Sequence, residues 1–442
     1  MKKVLIISYY FPPSGGPGVQ RILKFVKYLR DFDWEPVVLT VEKGAFPNID
    51  ESLVDQIPPD TKIIRTKALN PFGIYAKFSG VQQAKAASVG LLSNRKLTFR
   101  EKMARWIRAN IFIPDARIGW YPYAYRTGKH YIKKNAVDVI VSSGPPHSVH
   151  VTGLKLHRKT GIPWIADFRD PWTDISFFDD LPMIGFVRKL HERMEKKVLK
   201  NASAISVVSP SWKKLLQLKT GNQFEVIYNG YDEDDFADLQ TQKNEKFIIS
   251  HIGNLYGSRN PEQFWEALNY LINEKYMRRI NVRLIGNVDT SIIASIAKYD
   301  LDAFVSIIPY LQYKEGLARM ADSSLLLLII EPWEASPGMI PGKLYEYLVS
   351  RRPVLGIGPT DGDAANILNE CNAGAMCQWQ NKEAIAGYIE QLYNRWEQSG
   401  DTRIKENPNI LSYTRKNQTA KLASLLNRLY EQKEKKTATT TT

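Results

Sequence analysis

Four loops in this sequence bring together residue types able to grip a phosphorylated ligand, and each follows a short apolar run. The first is Pro341-Gly342-Lys343-Leu344-Tyr345-Glu346-Tyr347. Proline and glycine open a helix here, so the N–H groups of the helix start and the Lys343 ammonium can meet phosphate together. Glu346, one turn in, can accept hydrogen bonds from both hydroxyls of a ribose. The same residues also suit an ordinary amphipathic helix with Leu344, Tyr347 and Leu348 inward. The second loop, residues 253–261, begins at Gly253 and holds one cation, Arg259. It reads either as a second diphosphate contact or as surface.

The third loop is Pro12-Pro13-Ser14-Gly15-Gly16-Pro17-Gly18. It is either a tight turn or a place where Gly15 and Gly16 let backbone approach a ligand. As a dinucleotide fingerprint it is poor, because Arg21 stands where close helix–strand packing wants Gly or Ala. The fourth joins residues 142–148, His147 among them, to Asp167-Phe168-Arg169-Asp170. Two carboxylates around Arg169 form either an ion-pair network or a grip on sugar hydroxyls and phosphate charge. Arg169 and Asp170 are the candidate catalytic pair. No metal is expected: His147, His150 and His157 lack ligand spacing, and Cys371 and Cys377 fit no zinc or redox pattern. Asp361-Gly362-Asp363 reads as a turn and helix cap.

The elements that must position these loops follow from the apolar pattern. Strand, turn, helix and strand succeed one another at 4–8, 11–18, 19–29 and 36–41, an order that implies a parallel sheet. The alternation resumes at 137–141, with strands at 164–166, 204–208 and 224–227. Between them, 65–134 is a basic, aromatic insertion. An acidic turn after Asn229-Gly230 marks a boundary near 230–246, and a second alternating set follows, with strands at 247–252, 282–285, 305–307, 325–330 and 353–357.

The expected architecture is therefore α/β. An N-terminal domain covers 1–230 and a C-terminal domain 247–410. A helix at 411–434 carries Leu422, Leu425, Leu426 and Leu429 on one face, and a frayed tail occupies 435–442. Two Rossmann-like parallel-sheet domains would face a cleft, with ligands at the carboxyl ends of their strands.

The 442 residues are 44% apolar and 24% charged, the balance of a globular protein, with a net charge of +14 that asks for an anionic partner. Nucleic acid is not that partner, since no helix–turn–helix, zinc-finger or RNA-recognition pattern accompanies the charge. Much of the excess lies in the insertion, where Arg100, Lys102, Arg105 and Arg108 alternate with Phe99, Trp106 and Phe112. That stretch is either helices completing the first domain or a surface for anionic lipid or a lipid-diphosphate acceptor. The run 4–7 is too short for a signal peptide and 325–330 too short to span a bilayer, so a cytoplasmic protein is expected, with contact at the inner face of the membrane.

The collinear order of these motifs resembles family-4 glycosyltransferases. It comprises the glycine loop after the first strand, Val207-Val208-Ser209-Pro210-Ser211, Ile227-Tyr228-Asn229-Gly230-Tyr231-Asp232, the Gly253 loop, and Lys343 to Glu346 before Arg352-Pro353-Val354. The resemblance covers about residues 1–400. It implies a GT-B fold and a hexosyltransferase-type, retaining, metal-independent transfer. The donor would be a nucleotide-diphosphate-sugar, with no further cofactor, and the acceptor a glycan or lipid-linked sugar, as in cell-surface polysaccharide or glycolipid synthesis. A GT-B-fold nucleotide-sugar epimerase or hydrolase is the alternative.

By the same resemblance Glu346 is the ribose ligand, matching the second glutamate of the family's paired-glutamate motif. Gly253, Arg259, Gly342 and Lys343 hold the donor phosphates. The chain departs from the family pattern at three places. Gly338 stands where the first glutamate would fall, Asn254 where many members have arginine, and Arg169 where the family has its active-site histidine.

Overall fold

The computed structural model describes residues 1–69, 98–236 and 244–441, except 45 and 47. They form two compact units. One runs to Asn229 and includes the chain from Arg415 onward; the other is Gly230–Thr414.

The first unit is built on β1 (Lys2–Ile7), β2 (Trp34–Val41), β3 (Lys62–Thr66), β4 (Val139–Gly144), β5 (Trp164–Phe168), β6 (Ala204–Val207) and β7 (Phe224–Val226). All pair in parallel, in the order β3-β2-β1-β4-β5-β6-β7. Successive residues of β1 and β2 feed opposite faces of the sheet. Leu5, Ile7, Val37 and Leu39 enter one apolar cluster, and Val4, Ile6 and Val38 the other. Both faces are covered, which is why these strands read as continuous apolar runs without alternation.

The helix Pro17–Tyr28 covers the second face with Ile22, Leu23 and Val26. The helix Arg415–Thr441 joins it there, burying Leu422, Leu425, Leu426 and Leu429 in the same cluster. The expected C-terminal helix is thus the last layer of the first unit. It starts at Arg415 rather than at 411, and it continues to Thr441, past the point where a frayed tail was expected.

Residues 70–97 of the expected insertion, Arg95 and Lys96 among them, lie outside the described residues. The remainder contains the helix Phe99–Ile111, closed by a reciprocal Thr98/Glu101 capping box, and the helix Tyr121–Lys134. The latter buries Ala124 and Gly128 and so completes the helical layer. Strand β3, at the start of that stretch, went unforeseen; it is a short edge strand in which Lys62 and Arg65 are exposed.

The second unit comprises β8 (Phe247–Ile252), β9 (Ile280–Ile285), β10 (Val305–Ile308), β11 (Leu325–Ile329), β12 (Val354–Ile357) and β13 (Gly374–Cys377). They are parallel in the order β10-β9-β8-β11-β12-β13. β13 is again a short edge strand that the sequence pattern does not announce. Strand order reverses between β1 and β4 in the first unit and between β8 and β11 in the second. In doubly wound sheets ligands enter at the carboxyl ends of the strands beside such a reversal. All four chemistry-bearing loops leave the sheets near these two points.

Candidate functional site

In the second unit the loop after β8 and the helix Lys343–Ser350 converge. Gly253 holds φ at +121°, and a side-chain carbon there would stand 3.4 Å from Lys343 Nζ. Only glycine takes that backbone without strain, and only glycine leaves the ammonium uncovered. The half-buried Lys343 Nζ lies 3.2 Å from His251 Nε2, and His251 Nδ1 lies 3.0 Å from the Leu327 carbonyl. Burial, then the nearby Arg259 charge, lowers the Lys343 pKa to about 7, with Glu346 opposing. Near neutrality the head group is therefore shared between amine and ammonium, and an anion placed against it would favour the charged form.

Arg259 pairs with Glu331 at 3.5 Å and lies over the Tyr256 ring at 5.7 Å. It stands near Lys343 but is partly neutralised. Glu346 accepts from the Tyr313 hydroxyl at 3.1 Å, while the same hydroxyl lies 3.3 Å from Asp235 Oδ2. One hydroxyl proton serves only one of the two carboxylates at a time. Beside Glu346 a cavity of about 130 Å³ is lined by Gly253, Gly286, Tyr310, Tyr313 and Met320. Gly342 is the N-cap of the Lys343 helix, as the sequence reading required. Gly253, Arg259, Gly342, Lys343 and Glu346 are therefore brought together at one switch point.

The first unit carries the other candidates. Asp167 does not pair with Arg169. Its partner is Arg21, which donates to it from Nη2 at 2.7 Å and from Nε at 3.1 Å, with both side chains buried. Ser143 and Ser206 add hydroxyl donors at 2.6 and 2.7 Å. Burial alone would raise the Asp167 pKa, but the Arg21 charge and these hydrogen bonds outweigh it and hold the carboxyl below the usual range. The residue that broke the dinucleotide pattern is thus the anchor of β5.

Arg169 instead donates to backbone carbonyls, from Nε to Gly144 at 3.2 Å and from Nη2 to Pro145. Its Nη1 has no hydrogen-bond partner among the described residues. It rests on Gly18, where a side-chain carbon would come within 1.8 Å of it. Gly18, more than Gly15 or Gly16, is the glycine that the fourth loop demands. Gly16 is the N-cap of the helix Pro17–Tyr28, and the Gly15 N–H donates to the Asn48 carbonyl at 3.0 Å. Asp170 is half-buried, and burial raises its pKa against the Arg169 charge.

His147 stacks on Trp172 with centroids 4.7 Å apart and planes within 4°. Burial, then His150, Arg169 and His191, keeps it neutral by depressing its pKa well below the usual value. Trp172 is fixed in turn by Glu195 and His191. The structure thus groups Arg169, Asp170 and His147 around the ends of β4 and β5.

Sequence reasoning missed His251, Gly286 and Tyr313. A lone histidine inside the apolar run of β8 was the available signal for the first. Among the described residues no cluster of side chains suits a metal ion. Gly362, not an aspartate, caps the helix Asp363–Glu370.

Residues 82–235 match the family model described as Glycosyltransferase Family 4. No curated protein matches the chain. Among solved structures, sucrose-phosphate synthase from Thermosynechococcus elongatus aligns over 99% of both chains at 14% identity and a TM-score of 0.58. TarM of S. aureus, in complex with UDP among other ligands, aligns over 98% of this chain and 99% of its own at 12% identity and a TM-score of 0.57. The lipopolysaccharide outer core galactosyltransferase WaaB aligns over 98% and 100% at 11% identity and a TM-score of 0.56. The fold is that of GT-B glycosyltransferases, two Rossmann-like parallel-sheet domains, and the resemblance read from the motifs is borne out.

Proposed function

We propose that the chain transfers a sugar from a nucleotide-diphosphate-sugar to a glycan or lipid-linked acceptor. The observation that carries this reading is the convergence of Gly253, Lys343 and Glu346 at the β8/β11 reversal. Lys343 and Arg259 would stabilise the departing diphosphate while the sugar becomes cationic. Glu346 would exchange its Tyr313 hydrogen bond for the ribose hydroxyls, and the adjacent cavity would take the base. Two cations at the leaving group supply the charge that a resident metal supplies elsewhere, so we propose a metal-independent reaction without further cofactor. Retention at the anomeric carbon rests on the family resemblance. Arg169 and Asp170 would orient the sugar, with His147 and the Gly15-Gly16 loop beside them.

We place the reaction in the cytoplasm, at the inner face of the membrane. Among the described residues no helix is long and apolar enough to cross a membrane. The helix Phe99–Ile111 instead exposes Phe99, Met103 and Trp106 in one stripe, with Arg100, Lys102 and Arg105 alongside. Asn110 accepts from the Ile184 N–H at 2.8 Å, which brings the exposed Ile184 and Phe186 next to that helix. Apolar side chains ringed by cations suit an anionic lipid surface.

The deciding assay incubates the chain with a panel of nucleotide-sugars, with and without lipid-linked acceptors. Nucleoside diphosphate released only when acceptor is present supports transfer. Sugar release or isomerisation without acceptor would establish the hydrolase or epimerase alternative instead.

A further inference from the structure

His251 is 1% exposed, and burial, then the Lys343 charge, holds its pKa well below the ordinary histidine value. Its ring is therefore neutral and carries one proton. The Leu327 carbonyl, 3.0 Å from Nδ1, can only accept, so that proton sits on Nδ1. Nε2 then carries the lone pair, and it faces Lys343 Nζ at 3.2 Å, with the Asn254 backbone also close to the ring.

We infer that His251 is a positioning residue for Lys343: it takes one hydrogen of the ammonium and so aims the other two past Gly253 at a nucleoside diphosphate. This deepens the nucleotide reading of the second unit and rests on it. A lysine head on a flexible stem is otherwise costly to fix. Here the relay ties it through His251 to the backbone of the neighbouring strand β11.

Among the described residues, few charged and titratable groups face Lys343. Arg259 repels it and is itself paired with Glu331, Glu346 attracts it, and His251 is neutral. Tyr347, on the same helix, accepts from the Ile252 N–H at 3.3 Å and is pushed further toward the neutral phenol, chiefly by burial. Without ligand the amine thus loses its proton near neutrality. A diphosphate favours the charged form, so binding above that pH takes up a proton. Affinity falls about tenfold per pH unit until the pKa of the complex is reached.

The test is calorimetry with whichever nucleoside diphosphate stabilises the full chain most in a thermal-shift panel, at about pH 6.5 and about pH 8.5. His251→Leu removes the acceptor and should weaken binding about tenfold, the size of a charge-assisted hydrogen bond. His251→Gln keeps an acceptor near Nε2 and should stay within about threefold of the parent. In a Lys343→Ala background, His251→Leu should add nothing. Should His251→Leu not fold, His251→Asn carries the comparison, because its shorter side chain serves Leu327 but not Lys343.

Equal affinity and pH dependence in the parent and the leucine variant would overturn the inference. So would an undiminished loss in the Lys343→Ala background, or a glutamine variant as weak as leucine. Failure of the parent chain to bind any nucleoside diphosphate would overturn the nucleotide reading itself, and this inference with it.

Discussion

A side-chain carbon on Gly253 would stand 3.4 Å from Lys343 Nζ, on a backbone already at φ +121°. Gly253→Ala should therefore act twice. The strained backbone should cost roughly 1–3 kcal/mol of stability, seen in urea unfolding. The methyl group should also cover the ammonium, so that nucleotide affinity falls by more than the stability loss explains. Unchanged affinity in a destabilised variant would confine the role of Gly253 to the turn.

The buried Arg21–Asp167 pair, 2.7 Å apart, makes a separate prediction for the first unit. Arg21→Met leaves an uncompensated carboxylate and should destabilise by about 3–5 kcal/mol in denaturant unfolding. The double variant Arg21→Met, Asp167→Leu should recover much of that loss, because no buried charge is left alone. Asp167 is held below its unfolded pKa. Its contribution is therefore present above about pH 4 and is lost as pH falls through the folded value. Asp167→Asn should flatten that part of the acid-unfolding profile.

Glu346 lies beside the cavity with its carboxylate turned to Tyr313. If it receives both ribose hydroxyls, the parent chain should prefer a ribonucleoside diphosphate to its 2′-deoxy form by about tenfold, the worth of one charge-assisted hydrogen bond. Glu346→Ala should bind both forms equally weakly. Competition binding measures the ratio, and a preference that survives the substitution would assign the ribose to another residue.

The stripe of Phe99, Met103 and Trp106 should carry membrane contact. Flotation with vesicles containing anionic lipid should recover the chain at low salt and lose it at high salt. Phe99→Ser with Trp106→Ser should abolish recovery without changing nucleotide binding. Flotation equal to the parent's would remove the lipid reading.

The fold was legible because parallel strands covered on both faces have to be largely apolar, as residues 4–7 of β1, 37–39 of β2, 247–249 of β8 and all of β11 are. The edge strands β3 and β13 escaped because they are short and, in β3, partly charged. The convergence of the Gly253 loop with the Lys343 helix was legible because glycine, proline and a cation after a strand are local signals. The partner of Asp167 was not, since Arg21 lies 146 residues earlier and nothing local links them. His251 was hidden for the same reason. Its meaning depends on a carbonyl and an ammonium 76 and 92 residues away.

The central claim is that the second unit holds a nucleoside diphosphate at Lys343, and hydrogen–deuterium exchange with and without such a ligand tests it most directly. The account predicts slowed exchange at residues 252–259 and 341–348. Slowing confined to the first unit, or none with any diphosphate, would contradict it.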